Sequence, residues 1–493
     1  MRNKKYIFMS ALAVMALSAT AQDFDNTPTL NINNKEKQVK FTVGARFMAD
    51  AAYYNTEATP LKSGATISDA RIRTSMSYGE NWYFYADFGF GGGKFSQKNI
   101  FLQYANKADK GTHAVKVGYY NDPAGTMAAQ TSLGSYHFIS RPGMASSIGE
   151  GRELGITYKF SNDHFFAYQG VFTESAYNRL DAGYNGLTLS GRWLYRNASD
   201  INNAFHVGVS ARYAKLGGGE EVTTKGSTVL KKSLSLGQSL ETYVDQNNIF
   251  CSATLPWANE VIDFGAEALL VQPDFFVRAE YKHKVVTKHR DSYSIFIASQ
   301  DNIDGWGDPA LWEQANKIKT NHFNGAYVEL GYKFFGNAYS YDKFNGVMNG
   351  LSGKSLEIVG RFNYTGLNDL TEGEYYSAGR DQYYAAGFLQ DFPGIGATSV
   401  GGGDIYSTTI GLNYAFNKYA QVMLDYTWHR VNIDRLPHDT YTQFRLAYSS
   451  HSKNRAYINN IIREESSDTP SLTQTNPGAM RRDFLVFHRQ TLL

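Results

Sequence analysis

The sequence predicts an all-β chain: a transmembrane antiparallel β-barrel of about sixteen strands behind a cleaved N-terminal signal peptide. Three observations lead there. Segment after segment is apolar on one face and charged on the other, the links between segments alternate short and long, and the first residues form an export leader. The pattern is clearest between Ile67 and Phe90. Successive side chains of a strand point to opposite faces, so Ala70, Ile72, Thr74, Met76 and Tyr78 share one face and Asp69, Arg71, Arg73, Ser75 and Ser77 the other. After Gly79, Glu80 and Asn81 the rule repeats, with Trp82, Phe84, Ala86, Phe88 and Phe90 opposite Tyr83, Tyr85, Asp87 and Gly89. A soluble sandwich would bury the apolar face. So many such hairpins in one chain of 493 residues point instead to lipid outside and water inside.

The leader occupies residues 1–21. Arg2, Lys4 and Lys5 precede an apolar core from Tyr6 to Leu17, and Ala19, Thr20 and Ala21 supply small residues for cleavage, so the mature chain is expected to start at Gln22. Beyond it no run of about 18 apolar residues occurs, which excludes a helical membrane protein and leaves a barrel open. The formal net charge of +2 drops below zero once the three leader cations are removed, so overall charge identifies no partner. The single Cys251 excludes an internal disulfide.

Taken in order, the first strand is Lys40 to Ala51, with Lys40, Thr42, Gly44, Arg46, Met48 and Asp50 on its polar face. The Ile67–Phe90 hairpin follows, and then Gln97–Ala105, His113–Asn121, Gly151–Phe160, His164–Thr173, Gly186–Tyr195 and Phe205–Ala214. The second half reads Val261–Leu270, Asp274–Val286, His322–Phe334, Lys354–Thr365, Ile405–Phe416, Tyr419–Val431 and Tyr441–Tyr448. Short links such as 79–81, 106–112, 161–163, 196–204, 271–273 and 417–418 alternate with long ones at 122–150, 215–260, 287–321 and 366–404. That is the pattern of turns on one side of the membrane and loops on the other. Residues 335–353 make one longish turn-side link, and 242–252 is assigned to a structured part of a loop because a seventeenth strand would break the parity. The barrel is expected over 22–449. The tail 450–493 does not alternate and is expected to be a polar periplasmic or disordered appendage.

The same parity assigns the chemistry. The water-facing cations are Lys40, Arg46, Arg71, Arg73, Lys116, Lys159, Arg192, Arg196, Arg212, Arg278, Lys282, Lys284, Lys333, Arg361 and Arg445. The matching anions are Asp50, Asp69, Asp87, Glu153, Glu280, Glu329, Glu357 and Asp425. The cations outnumber the anions, and a cationic wall in a low-dielectric channel raises the local anion concentration. The competing reading is that these cations merely pair with lumen carboxylates and bind lipopolysaccharide at the rim. The third long loop, 122–150, carries His137, Arg141 and Pro142 among small residues and is expected to fold inward and narrow the pore.

Asp69-Ala70-Arg71-Ile72-Arg73, the hairpin through Tyr83 to Phe90, Lys116 through Pro123, and Gly151-Arg152-Glu153-Leu154-Gly155, in that order, resemble the phosphate-selective porin O and P family; the segment from Pro273 to Tyr281 is similar too. The resemblance covers roughly residues 40–448. It implies a sixteen-stranded, trimeric porin of the bacterial outer membrane with an arginine ladder and guiding lysines in its lumen. On matching motifs it carries over Arg71, Arg73, Lys116 and Arg152 as basic positions near the path. Together with the parity and loop readings, the expected anion path is Arg46, Arg71, Arg73, Lys116, Arg141, Arg152, Lys159, Arg192, Arg212, Arg278 and Arg361. Two features depart from the family pattern: a tail follows the last strand, and the third loop holds no lysine cluster.

Other motifs carry less. Gly350 to Ser355 ends like a phosphate loop, but Met348 stands where the first Gly belongs, so a tight turn is expected. His283 and His289 flank a basic run without a second pair at metal spacing. No outward face places a Ser or Asp beside a His as a lipid-cleaving enzyme would need. The expectation is a passive, water-filled, anion-preferring channel, with no catalytic residue, metal or cofactor. Its expected partners are inorganic anions such as phosphate, outer-membrane lipid and lipopolysaccharide, and two further copies of itself, but no nucleic acid. The alternatives are a non-selective porin and a structural, adhesive or lipid-modifying barrel.

Overall fold

A computed structural model describes residues 30–490 apart from 35–37, 57–60, 92–94, 174–185, 218, 225–226, 246–248, 293–317, 370–399, 418, 433–438 and 452–487. The expected leader lies outside the described residues. So does most of the tail, although His488–Gln490 pairs with Ala447, Tyr448 and Ser450, a strand contact where a polar appendage was expected. Extended backbone beside a sheet satisfies its amides most readily by pairing.

Sixteen long strands form the wall. They are β1 (Val39–Thr56), β2 (Gly64–Tyr78), β3 (Trp82–Gly89), β4 (Ser96–Ala108), β5 (Gly111–Asn121), β6 (Arg152–Ser161), β7 (Phe165–Thr173) and β8 (Leu187–Asn197). The second half comprises β9 (Ala204–Lys215), β10 (Ala258–Val271), β11 (Phe275–Lys288), β12 (Asn321–Phe335), β13 (Ser355–Asp369), β14 (Val400–Ala415), β15 (Ala420–Asn432) and β16 (Asp439–His451). Each pairs antiparallel with the next, and β16 pairs with β1 across Arg46↔His451 to Thr56↔Tyr441, so every strand has two wall neighbours. Closure removes the open edges that would leave amides unpaired in lipid. The segment Ile249–Pro256 pairs with Ser233–Ser239 in a separate two-stranded sheet, in keeping with its assignment to a loop. One boundary moves: the turn expected at 106–112 contracts to Asp109 and Lys110, because β4 and β5 pair down to Ala108↔Gly111.

The two faces are those of a membrane barrel. Outward, Ile72, Val117, Ile156, Val209, Leu330 and Ile410 are exposed; inward, Arg46, Asp69, Arg192, Glu329, Glu357 and Asp425 are buried. This inverts the soluble arrangement because the outer solvent is hydrocarbon. Ring pairs stand near the strand ends on the outer face: Trp82 with Tyr104 (5.0 Å) and Tyr414 with Phe416 (4.9 Å) at the turn side, Tyr364 with Tyr406 (4.9 Å) at the loop side. Amphipathic rings favour the level of the lipid headgroups.

Candidate anion path

Two segments lie against the inner wall. The first is 122–150, between β5 and β6, which carries single-turn helices at Met127–Gln130 and Met144–Ser147. Irregular backbone inside a barrel needs partners for its amides, and carboxylates of distant strands supply them. The Met127 amide donates to Glu280 on β11 (2.9 Å) and that of Ile139 to Asp425 on β15 (3.1 Å). The Tyr136 hydroxyl donates to Glu329 on β12 (2.5 Å), and His137 Nδ1 lies 3.0 Å from Glu357 on β13. Much of the expected lumen acid therefore holds this segment.

The second is the turn-side link between β12 and β13. It contains a small pair, Tyr341–Asp342 with Val347–Met348, and meets the first segment: His137 Nε2 is 3.1 Å from the Asn349 carbonyl oxygen. A Cβ at Gly350 would stand 2.7 Å from Ser135 Cα, so only glycine allows that approach. Gly350→Leu is expected to part the two segments and raise single-channel conductance in planar bilayers; unchanged conductance would mean that this contact does not set the bore.

The eleven residues expected on the path fall into distinct environments. Arg192 is paired with Glu267 (2.6 Å), Arg278 with Glu329, and Arg361 with Glu241 (2.6 Å) and Glu329 (3.4 Å). Arg212 is ringed by Asp122 (3.3 Å), Glu153 (2.5 Å), Asp263 (3.3 Å) and Glu150 (3.6 Å). For these four the ion-pairing alternative describes the wall. Lys159 donates to backbone and amide oxygens, and Lys116 rests 4.6 Å from the centre of the Phe101 ring.

The remaining five converge. Arg46, Arg71, Arg73, Arg141 and Arg152 line one cavity of about 270 Å³ between strands of the β1–β6 side and the two inward segments. The only carboxylates in its lining are Asp87 and Asp342. Asp69, just outside that lining, pairs with Arg46 and with Arg71 (2.7 Å), and Arg71 also reaches Asp87 at 3.0 Å. Arg141 donates to the Ala128 and Thr131 carbonyls (2.5 and 2.8 Å), and Arg152 to Asn99 (2.6 Å). Burial pulls the Arg141 guanidinium below its ordinary value, as an unpaired cation removed from water must be. Arg73 is the open position. It is 7% exposed, its Nε has no hydrogen-bond partner among the described residues, and Asp87 is 4.0 Å away.

Sequence reasoning missed the acids that quench the other half of the lumen. Asp263 and Glu267 sit on the inward face of β10, where the alternation in Val261–Leu270 would have placed them. Asp122, Glu150 and Glu241 belong to links and obey no periodicity.

The profile of the phosphate-selective porin O and P family matches residues 41–447. The chain belongs to this family. It is a porin of the bacterial outer membrane. A comparison with curated proteins finds no match. Among solved structures, an anion-selective porin from Comamonas acidovorans is similar at 9% identity and TM-score 0.46, covering 84% of this chain and 99% of that one. The trimer form of OmpT from Vibrio cholerae is similar at 10% identity and TM-score 0.45, covering 84% and 99%. OpdQ of Pseudomonas aeruginosa gives 11% identity and TM-score 0.34, covering 85% and 99%. At these values the solute preference and assembly of those porins do not transfer to this one.

Proposed function

We propose that the porin selects its solute at the five-arginine cavity, and that the solute is an oxyanion of the phosphate type. The protein is an anion-preferring, water-filled diffusion channel; the cavity gives that preference a location. One observation carries the reading: five arginines against two lining carboxylates, with the buried Arg73 Nε unpartnered and facing the space. A guanidinium presents a planar fork of donors matched to phosphate oxygens, and a desolvated cation without a counterion gains most from an entering anion. Selection is by binding and passage with no chemical step. The link 122–150 acts as the constriction, and the quenched arginines on the far wall hold it there. The outer belt meets lipid and lipopolysaccharide, and three copies form the working unit.

The test is the reversal potential of the purified porin in a planar bilayer under a potassium chloride gradient, repeated with phosphate. A potential toward chloride and a current blocked by phosphate are expected; a cation-selective current overturns the reading.

A further inference from the structure

The tip of the turn-side link makes an unusual set of contacts. Four successive backbone carbonyls each accept from a cation on the wall. Lys343 O takes Arg196 Nη1 (2.7 Å), Phe344 O takes Lys159 Nζ (3.1 Å), Asn345 O takes Arg192 Nη1 (3.1 Å) and Gly346 O takes Arg192 Nη2 (2.7 Å). Gly346 adopts φ 64°, the left-handed conformation that lets the tip curl over Arg192. Lys159 and Arg196 are 3% and 0% exposed and form no ion pair with a carboxylate among the described residues, so neutral acceptors are all that offset their buried charge. A peptide carbonyl is a dipole and satisfies a cation less fully than an anion does.

We infer that the porin carries a second oxyanion site, formed by Lys159, Arg192 and Arg196 on the turn side of the cavity, and that its own backbone at 343–346 fills it as a surrogate ligand. This goes beyond the arginine cavity and uses none of its residues. A separate space of about 280 Å³, lined by Arg196, Lys343, Phe344, Asp163 and the Asp109-Lys110 turn, gives access to the tip from the turn side. The tip's side-chain tie at that mouth is Lys343 to Asp163, 2.7 Å, with Asp163 40% exposed. An exposed pair of this kind contributes little and is screened by salt. The tip therefore yields to a competing anion more readily than its buried contacts suggest, and a phosphate-type oxyanion arriving from the turn side takes over the three cations.

The experiment replaces residues 341–348 by two glycines and measures phosphate block of the chloride current with phosphate added to the turn side only. With the surrogate removed, the half-blocking concentration is expected to fall about tenfold, the scale of one or two charge-assisted hydrogen bonds gained by the ligand. Lys159→Gln in the shortened protein is expected to reverse most of that gain. A shortened channel that conducts more but is blocked by phosphate no better than the parent overturns the inference, as does a Lys159→Gln change without effect in that background. If the shortened barrel does not insert, Asp163→Asn in the full-length protein unties the tip without altering its backbone. A lower half-blocking concentration from the turn side supports the second site, and an unchanged one overturns it.

Discussion

Replacing Arg73 by Gln is expected to leave a folded, conducting porin that needs roughly 10- to 100-fold more phosphate for half-block, with a reversal potential shifted toward zero. The expectation follows from the state of that side chain. Arg71 shares Asp69 and Asp87, and Arg141 and Arg152 donate to neutral oxygens, whereas the Arg73 Nε has no partner and its nearest carboxylate stands at 4.0 Å. A charge-assisted hydrogen bond to a bound anion is worth about 1.5–3 kcal/mol, which gives the stated range. No native contact is lost with it, so the barrel does not depend on it. Arg278→Gln on the quenched wall is the control, because its charge is committed to Glu329. If both substitutions shift phosphate block equally, the selectivity comes from the summed charge of the lumen and the cavity is not its seat.

The largest structural effect is expected from Glu329→Leu. Glu329 is fully buried on β12 and accepts from Arg278 (2.7 Å), from the Tyr136 hydroxyl of the 122–150 link (2.5 Å) and from Arg361 (3.4 Å). Removing it leaves Arg278 buried and uncompensated, at a cost of about 3–5 kcal/mol, and frees one anchor of the inward segment. The measurement is twofold: the temperature at which the folded barrel converts to the unfolded band on a gel falls, and single-channel current becomes larger and noisier. Glu329→Gln keeps an acceptor for Tyr136 and is expected to lose less. A barrel as stable as the parent in both variants would mean that water entering the lumen compensates Arg278.

The wall of this porin is legible residue by residue. Asp69, Arg71 and Arg73 face inward and Ile72 and Met76 outward because a strand has a period of two, and that alternation holds from β1 through β15. The links are legible by length alone, which is why their sides could be assigned but their contents could not. His137 and Arg141 were recognisable as candidates, yet nothing in their spacing says that one meets Glu357 and the other a pair of carbonyls. The turn-side link was read as a longish turn, and it reaches Arg192, Arg196 and Lys159.

The sequence by itself determined the closed antiparallel wall, its lipid face and the surplus of inward cations, since each follows from local alternation and from the need to pair backbone in hydrocarbon. Only the tertiary structure decided which cations remain available. Arg192, Arg212, Arg278 and Arg361 are quenched by Glu267, Asp122, Glu329 and Glu241, partners far away along the chain, while Arg71, Arg73, Arg141 and Arg152 are gathered around one space. Alternation reports the face a side chain takes. Charge compensation depends on what crosses the lumen to meet it, and that is set by segments with no period to read.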